Sequence, residues 1–243
     1  MKLSYEGLKD RAAWEKAGVR VPDYDWEATA KETLAHPVWV HFGSGSLVRA
    51  FHARLQQSLL EQGLAKSGII CAETFDYEIV DKVYDPYDNL AVMVSLKPDG
   101  STEKEIVASV AKGLRASHSY PEDEGQLKEI FRNPSLQMIT FTITEKGYAL
   151  KDMSGKFTPM AEKDFAAGPG NCTLAMGWVA ALLLERYKAG AFPLAVVSMD
   201  NCSHNGEKVR SGVVTMAEKW HENGFVDGGF LDWVTDEGKG AFP

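Results

Sequence analysis

An apolar run, Val38-Trp39-Val40-His41-Phe42, passes directly into Gly43-Ser44-Gly45-Ser46-Leu47-Val48-Arg49 and then into a helical pattern. A buried strand closed by a Gly-x-Gly turn at the start of a helix is how α/β proteins hold a dinucleotide pyrophosphate. The first glycine permits the tight turn, and the second lets the backbone approach the phosphates. The free N–H groups and the positive end of the helix then face the anion. Gly43, Ser44, Gly45, Ser46 and Leu47 are therefore candidate cofactor contacts. The third glycine of the usual fingerprint is replaced by Val48, so the motif needs support from its surroundings. Arg49 supplies some: a cation in the first turn opposes the helix dipole unless an anion is bound in front of it.

Strand-like and helix-like stretches alternate after this turn. Residues 37–42 read as the first strand, and apolar positions 47, 48, 51, 55, 59 and 60 follow with helical spacing. Ile69-Ile70-Cys71-Ala72 is a second strand. Leu90–Leu96 and Glu105–Val110 flank Lys97-Pro98-Asp99-Gly100-Ser101, a turn sequence, which predicts a β-hairpin inserted into the sheet order. Leu136–Thr144 and Pro193–Met199 read as further core strands. Cys172–Tyr187, capped by Asn171 or Thr173, and Asn205–Trp220 read as helices. Apolar strands alternating with helices predict an α/β fold: a doubly wound, mostly parallel, Rossmann-like sheet carrying the hairpin. Residues 1–35 are polar with scattered aromatics and read as an arm packed on a domain over 36–243. Residues 236–243 read as a loop with no closing element.

Composition sets the outer limits. Lys and Arg number 26 against 34 Asp and Glu, a net charge of −8, with no basic run to attract nucleic acid or an anionic membrane surface. No stretch approaches the roughly 20 apolar residues of a membrane span, and the N-terminus has no apolar signal core. Cys71, Cys172 and Cys202 form no CxxC pair and read as reduced thiols of a cytoplasmic protein. No His, Asp and Glu cluster has metal-ligand spacing, and no Gly-x-Ser-x-Gly elbow is present.

Polar clusters fall where strands end. Glu73 follows the second strand directly, with Asp76 close behind. An acid here accepts hydrogen bonds from an adenosine ribose and repels a 2′-phosphate, favouring NAD over NADP. Its distance of 28 residues from Gly45 exceeds the usual spacing of roughly 20, and a solvated carboxylate at a strand end is the alternative. Thr142-Ile143-Thr144-Glu145-Lys146-Gly147-Tyr148 follows another strand, so Thr144 and Glu145 are placed to line a cofactor crevice. In Ser198-Met199-Asp200-Asn201-Cys202-Ser203-His204-Asn205-Gly206, Asn201 offers an uncharged amide donor that can polarise a carbonyl. Asp200 can orient neighbours, and His204 can shuttle a proton. Asp200 and Asn205 also suit turn and cap roles. His41, inside an apolar strand, reads as a core histidine.

With these pieces in order the chain resembles the N-terminal part of the polyol-specific long-chain dehydrogenases, the mannitol dehydrogenase family. The family's G-x-G-x-F-x-R-A-H reads here as Gly43-Ser44-Gly45-Ser46-Leu47-Val48-Arg49-Ala50-Phe51, with Leu47 for the aromatic and Phe51 for the histidine. Its T-x-T-E-K-G-Y matches residues 142–148, and its S-x-D-N-x-x-x-N-G matches Ser198, Asp200, Asn201, Asn205 and Gly206. Tyr84-Asp85-Pro86-Tyr87-Asp88-Asn89-Leu90 is similar to the family's aldonate-type branch. The resemblance implies NAD-dependent hydride transfer between a polyol or hexonate and its ketose or keto-acid. Asn201 would be one of the asparagines that stabilise the developing oxyanion, with Asp200 and Asn201 beside the cofactor. It further implies an acid/base lysine on a C-terminal substrate domain. Ala241-Phe242-Pro243 resembles the junction to that domain, and both domain and lysine are expected to be missing from this chain; Lys146 and Lys208 are not its equivalents. The fragment is then expected to bind NAD and to catalyse little alone. A Gly-x-Gly turn followed by an acid also suits an S-adenosylmethionine-dependent methyltransferase, and a non-catalytic dinucleotide-sensing module is a third reading.

Overall fold

A computed structural model describes residues 1–236, 238 and 240–242. The chain divides into two units, Met1–Leu114 and Arg115–Pro243.

The first unit opens with helices α1 (Tyr5–Leu8) and α2 (Arg11–Lys16), strand β1 (Val19–Arg20) and helix α3 (Trp26–Ala35). Ser4, Asp10 and Asp25 cap the three helices, each side chain accepting an N–H that the first turn leaves without a carbonyl. Strand β2 (Trp39–Phe42) leads through the glycine turn into a π-helical turn, Val48–His52, and helix α4 (Ala53–Glu61); β3 (Ile69–Glu73) follows. β2 and β3 pair in parallel with Val40 opposite Ile70, and both are buried along their whole length. Burial on both faces explains their unbroken apolar runs. The helix expected from residue 47 thus starts as a wider turn, closed by Ala53 N–H on the Val48 carbonyl.

A second π turn (Val80–Tyr84) precedes β4 (Ala91–Leu96), β5 (Thr102–Val107) and β6 (Val110–Arg115). The predicted hairpin is present: β4 and β5 pair antiparallel, and Gly100 at φ 83° completes the Pro-Asp-Gly turn. It does not enter the sheet order of β2 and β3, however. It forms a separate three-stranded sheet in the order β1-β5-β4, with β1 parallel to β5. The expected second hairpin strand also breaks early, because the buried Gln57 amide takes over the backbone there. Its Nε2 donates to Ile106 O at 2.8 Å and its Oε1 accepts from Ala108 N at 2.8 Å. The first 35 residues contribute Leu8, Trp14, Val19 and Trp26 to one buried cluster with Leu90, Ile106 and Ala108 of the hairpin region.

The second unit holds α5 (Pro121–Arg132), β7 (Met138–Phe141), α6 (Glu145–Tyr148), α7 (Pro159–Ala167), α8 (Ala175–Gly190), β8 (Leu194–Ser198), α9 (Asn205–Glu222), α10 (Gly228–Thr235) and β9 (Gly240–Ala241). β7 pairs with β8 in parallel, and β8 with β9. The expectation that residues 236–243 contain no closing element is therefore corrected: Gly240 and Ala241 form β9, opposite Leu194 and Ala195.

The start of α8 needs a second correction. Its cap residue is Leu174, and neither Asn171 nor Thr173 serves it. The buried Asp164 carboxylate of α7 caps it from outside, accepting Thr173 N–H at 2.8 Å and Leu174 N–H at 2.7 Å. At the other end the buried Arg186 guanidinium donates to the carbonyls of Phe131, Asn133, Leu136, Phe192 and Pro193. Burial lowers its pKa to about 10. Among the described residues no helix is long and apolar enough to cross a membrane, and no group of three or more His, Cys, Asp and Glu side chains can hold a metal ion.

Candidate functional site

The carboxyl ends of β2 and β3 meet around one carboxylate. Gly43 turns the chain out of β2 at φ 103°, a conformation costly for any residue with a Cβ, and its N–H stays bonded to Ala72 O at 2.9 Å. Ser44 is buried: its N–H donates to Glu73 Oε2 at 2.9 Å, and its carbonyl accepts the Tyr84 hydroxyl at 2.9 Å. Glu73 Oε1 collects the N–H groups of Thr74, Phe75 and Asp76 at 3.0, 2.9 and 3.2 Å. The acid expected to serve a ribose is thus first a brace, locking the glycine turn to the loop that follows β3. One lone pair of Oε2 stays unused by these contacts.

The outer side of the turn is open. A Cβ on Gly45 would meet no atom within 4 Å, so the second glycine is not demanded by the protein's own packing. The backbone N–H groups of Gly45, Ser46 and Leu47 donate to no acceptor among the described residues. Ser44 Oγ is buried with no hydrogen-bond partner. Three free amides, an orphaned hydroxyl and a space that a side chain would fill are the features of an anion cradle. Arg49 lies back over this turn, Nε donating to Gly45 O at 3.3 Å and the guanidinium 6.0 Å from the Tyr84 ring centre. Asp76 is exposed, and Phe75 beside it is 92% exposed.

Beneath the turn lie two buried imidazoles. The His41 and His52 rings stand 5.2 Å apart, and desolvation, with the His52 charge second, lowers the His41 pKa to about 3. His41 is a core histidine, as its apolar strand predicts. Burial also pushes the Cys71 thiol up to about 12, which makes it chemically inert.

The second unit gathers the other polar residues where β7 and β8 end. Asp200 accepts the N–H groups of Ile143 at 3.0 Å and Thr144 at 3.4 Å, and the Tyr148 hydroxyl as well. Tyr148 also meets Ser198 Oγ at 2.9 Å; burial, then the bond to Asp200, raises its pKa. Asn205 Nδ2 donates to the Ser198 and Asp200 carbonyls at 3.2 and 2.9 Å. Asp200 and Asn205 therefore act structurally in this turn, but Asn205 is the first residue of α9 and His204, not Asn205, occupies its cap position. Asn201 is exposed and its side chain bonds nothing among the described residues, which leaves its amide available. Glu145 pairs with Lys208, which lowers the pKa of the acid and raises that of the amine. A cleft of about 660 Å³ lies against them, lined by Glu145, Tyr148, Lys151, Phe157, His204 and Lys208 among others. His204 is exposed and 3.5 Å from Glu207.

Gly43, Ser44, Gly45, Ser46, Leu47, Arg49, Glu73 and Asp76 thus come together in the first unit, and Thr144, Glu145, Asp200 and Asn201 in the second. Sequence reasoning missed Tyr84 and Phe75. Tyr84 opens the Tyr-Asp-Pro-Tyr-Asp-Asn-Leu segment, noted only as a resemblance. No sequence signal distinguishes Phe75 from a core aromatic.

Residues 38–237 match the model of the mannitol dehydrogenase Rossmann domain. The chain is 50% identical over 243 residues to a D-mannonate oxidoreductase of Thermotoga maritima, covering 100% of this chain and 44% of that protein. It is 30% identical over 236 residues to a mannitol 2-dehydrogenase of Cereibacter sphaeroides, covering 91% and 43%. Among solved structures, that of Pseudomonas fluorescens mannitol 2-dehydrogenase with NAD and D-mannitol superposes with a TM-score of 0.78 at 24% identity, covering 100% of this chain and 46% of that one. The likeness supports the Rossmann-like fold. The chain spans less than half the length of these relatives. A methyltransferase finds no support, since each of these relatives is an oxidoreductase or dehydrogenase.

Proposed function

The chain belongs to the mannitol dehydrogenase family, and from that premise we propose that it is the cofactor-binding part of an NAD-dependent oxidoreductase. The whole protein would interconvert a hexonate or polyol with its keto-acid or ketose. The observation that carries this reading is the open cradle at Gly45, with its three free amides and the orphaned Ser44 hydroxyl. Two linked phosphates satisfy such donors, and the exposed Phe75 beside the Glu73 brace gives an adenine ring a face to rest on. The spare lone pair of Glu73 Oε2 and the exposed Asp76 accept ribose hydroxyls, and both charges repel a 2′-phosphate.

The bound nicotinamide supplies a hydride acceptor or donor; the protein's own residues do the rest. Asn201 presents an uncharged amide donor that can stabilise a developing alkoxide. The acid/base lysine of the family belongs to the substrate domain, so residues 1–243 bind the cofactor without appreciable turnover. Identity to a D-mannonate oxidoreductase favours a hexonate substrate over a neutral polyol. Three free thiols, two of them buried, fit a reducing compartment such as the cytoplasm.

Titration of the purified chain with NADH, NADPH and S-adenosylmethionine, followed by tryptophan fluorescence and calorimetry, tests the reading. NADH is expected to bind, NADPH at least about tenfold more weakly, and S-adenosylmethionine not at all. Failure of NADH to bind at millimolar concentration overturns it.

A further inference from the structure

Ser44 is held at both of its backbone polar groups. Its N–H reaches the Glu73 carboxylate at 2.9 Å, and its carbonyl accepts the Tyr84 hydroxyl at 2.9 Å. In a trans peptide the carbonyl and the N–H point in opposite directions. A Ser44 carbonyl drawn toward buried Tyr84 therefore turns the Gly45 N–H away from that hydroxyl, toward the open side of the turn. The chain itself does not compel this choice. Flipping the 44–45 peptide changes ψ at Ser44 and φ at Gly45, and glycine accepts either sign of φ. The Tyr84 hydroxyl decides it.

Tyr84 is firmly held in turn. It is the last residue of the π turn Val80–Tyr84 and is 1% exposed. Its ring lies against Gly113 of β6, where a Cβ would come within 2.9 Å of the Tyr84 Cγ. Burial raises its pKa well above the ordinary value, so the hydroxyl keeps its proton and donates. The guanidinium of Arg49 lies over the same ring at 6.0 Å, and Arg49 Nε donates to the Gly45 carbonyl at 3.3 Å. By the same trans geometry, that bond turns the Ser46 N–H away from Arg49. One buried tyrosine thus aims two free amides, Gly45 directly and Ser46 through Arg49.

We propose that Tyr84 is a positioning residue of the phosphate cradle: its hydroxyl, bonded to the Ser44 carbonyl, points the Gly45 N–H at the pyrophosphate of the ligand. This rests on the cofactor reading above and adds to it the side chain that orients an anion donor. Tyr84, Ser44, Gly45, Arg49 and Gly113 all belong to the first unit.

The test compares ADP-ribose, which carries adenosine and both phosphates, with adenosine, which carries no phosphate. Both are titrated into the isotopically labelled chain and followed by nuclear magnetic resonance. In the wild type the Gly45 amide proton should move downfield with ADP-ribose and stay in place with adenosine. Tyr84→Phe keeps the ring and removes only the hydroxyl. It should weaken ADP-ribose about tenfold and adenosine less than about twofold, and at least halve the Gly45 displacement at saturation. Gly113→Ala keeps the hydroxyl but pushes the ring that carries it, and should weaken ADP-ribose with the same selectivity; it decides the matter if Tyr84→Phe does not fold. Equal weakening of the two ligands, ADP-ribose affinity within about twofold of wild type, or a wild-type Gly45 amide that bound ADP-ribose leaves in place overturns the inference while leaving the cofactor reading intact. A wild-type chain that binds neither NADH nor ADP-ribose ends the cofactor reading, and the role of Tyr84 with it.

Discussion

Glu73 shows how one side chain can serve fold and ligand together. Four backbone N–H groups converge on its carboxylate, and the same carboxylate sits where an adenosine ribose is expected. Its place after β3 is legible in sequence; its bond to Ser44 is not, because it joins residues 29 apart. Phe75 tests the adenosine side. Phe75→Ala should weaken NADH roughly tenfold, as loss of a base-stacking face usually does, with unchanged thermal stability. His41 tests the floor beneath the turn. Its folded pKa of about 3 lies below the ordinary 6.5, so the unfolded chain takes up a proton that the folded chain refuses. Stability is unaffected above pH 6.5 and falls between pH 6.5 and 3, by about 1.4 kcal/mol per pH unit from this residue. Urea unfolding of wild type and His41→Asn at pH 7 and pH 5 measures it. The wild type should lose about 2 kcal/mol more than the variant over that interval.

At the scale of elements, β2, β3 and β8 were readable because strands buried on both faces must be apolar throughout. The hairpin was readable from Pro98-Asp99-Gly100. The ends of elements were less so, for a common reason: distant side chains set them. Gln57 stops β5, and Asp164 starts α8. Arg186 ties the 131–136 and 192–193 segments to α8 by donating to their carbonyls. In the sequence it is one more arginine in a helix. Arg186→Met should cost about 3–5 kcal/mol, since it buries those carbonyls without donors. Chemical denaturation that finds under about 1 kcal/mol lost would contradict the bonding described. The π turn at Val48–His52 escaped sequence reading as well, because its apolar spacing also fits an α-helix.

For the whole chain, the proposed function predicts cofactor binding without turnover. Saturating NADH, at about 100 times its Kd, should stabilise the chain by about 2.7 kcal/mol and raise its Tm by several degrees. The same preparation should oxidise neither mannonate nor mannitol at a measurable rate. A dehydrogenase assay showing substantial turnover would mean that an acid/base group lies within residues 1–243. Sequence alone determined the α/β class, the glycine turn, the acid after β3 and the family. Each of these is a local pattern, set by hydrophobic period, by turn geometry or by a short motif. Only tertiary structure decided that the hairpin joins β1 in a sheet of its own, that Glu73 braces the glycine turn, and that Asp200 faces backbone. Those outcomes depend on hydrogen bonds between residues far apart in the chain, and a buried carboxylate pairs with whichever donors the fold brings to it.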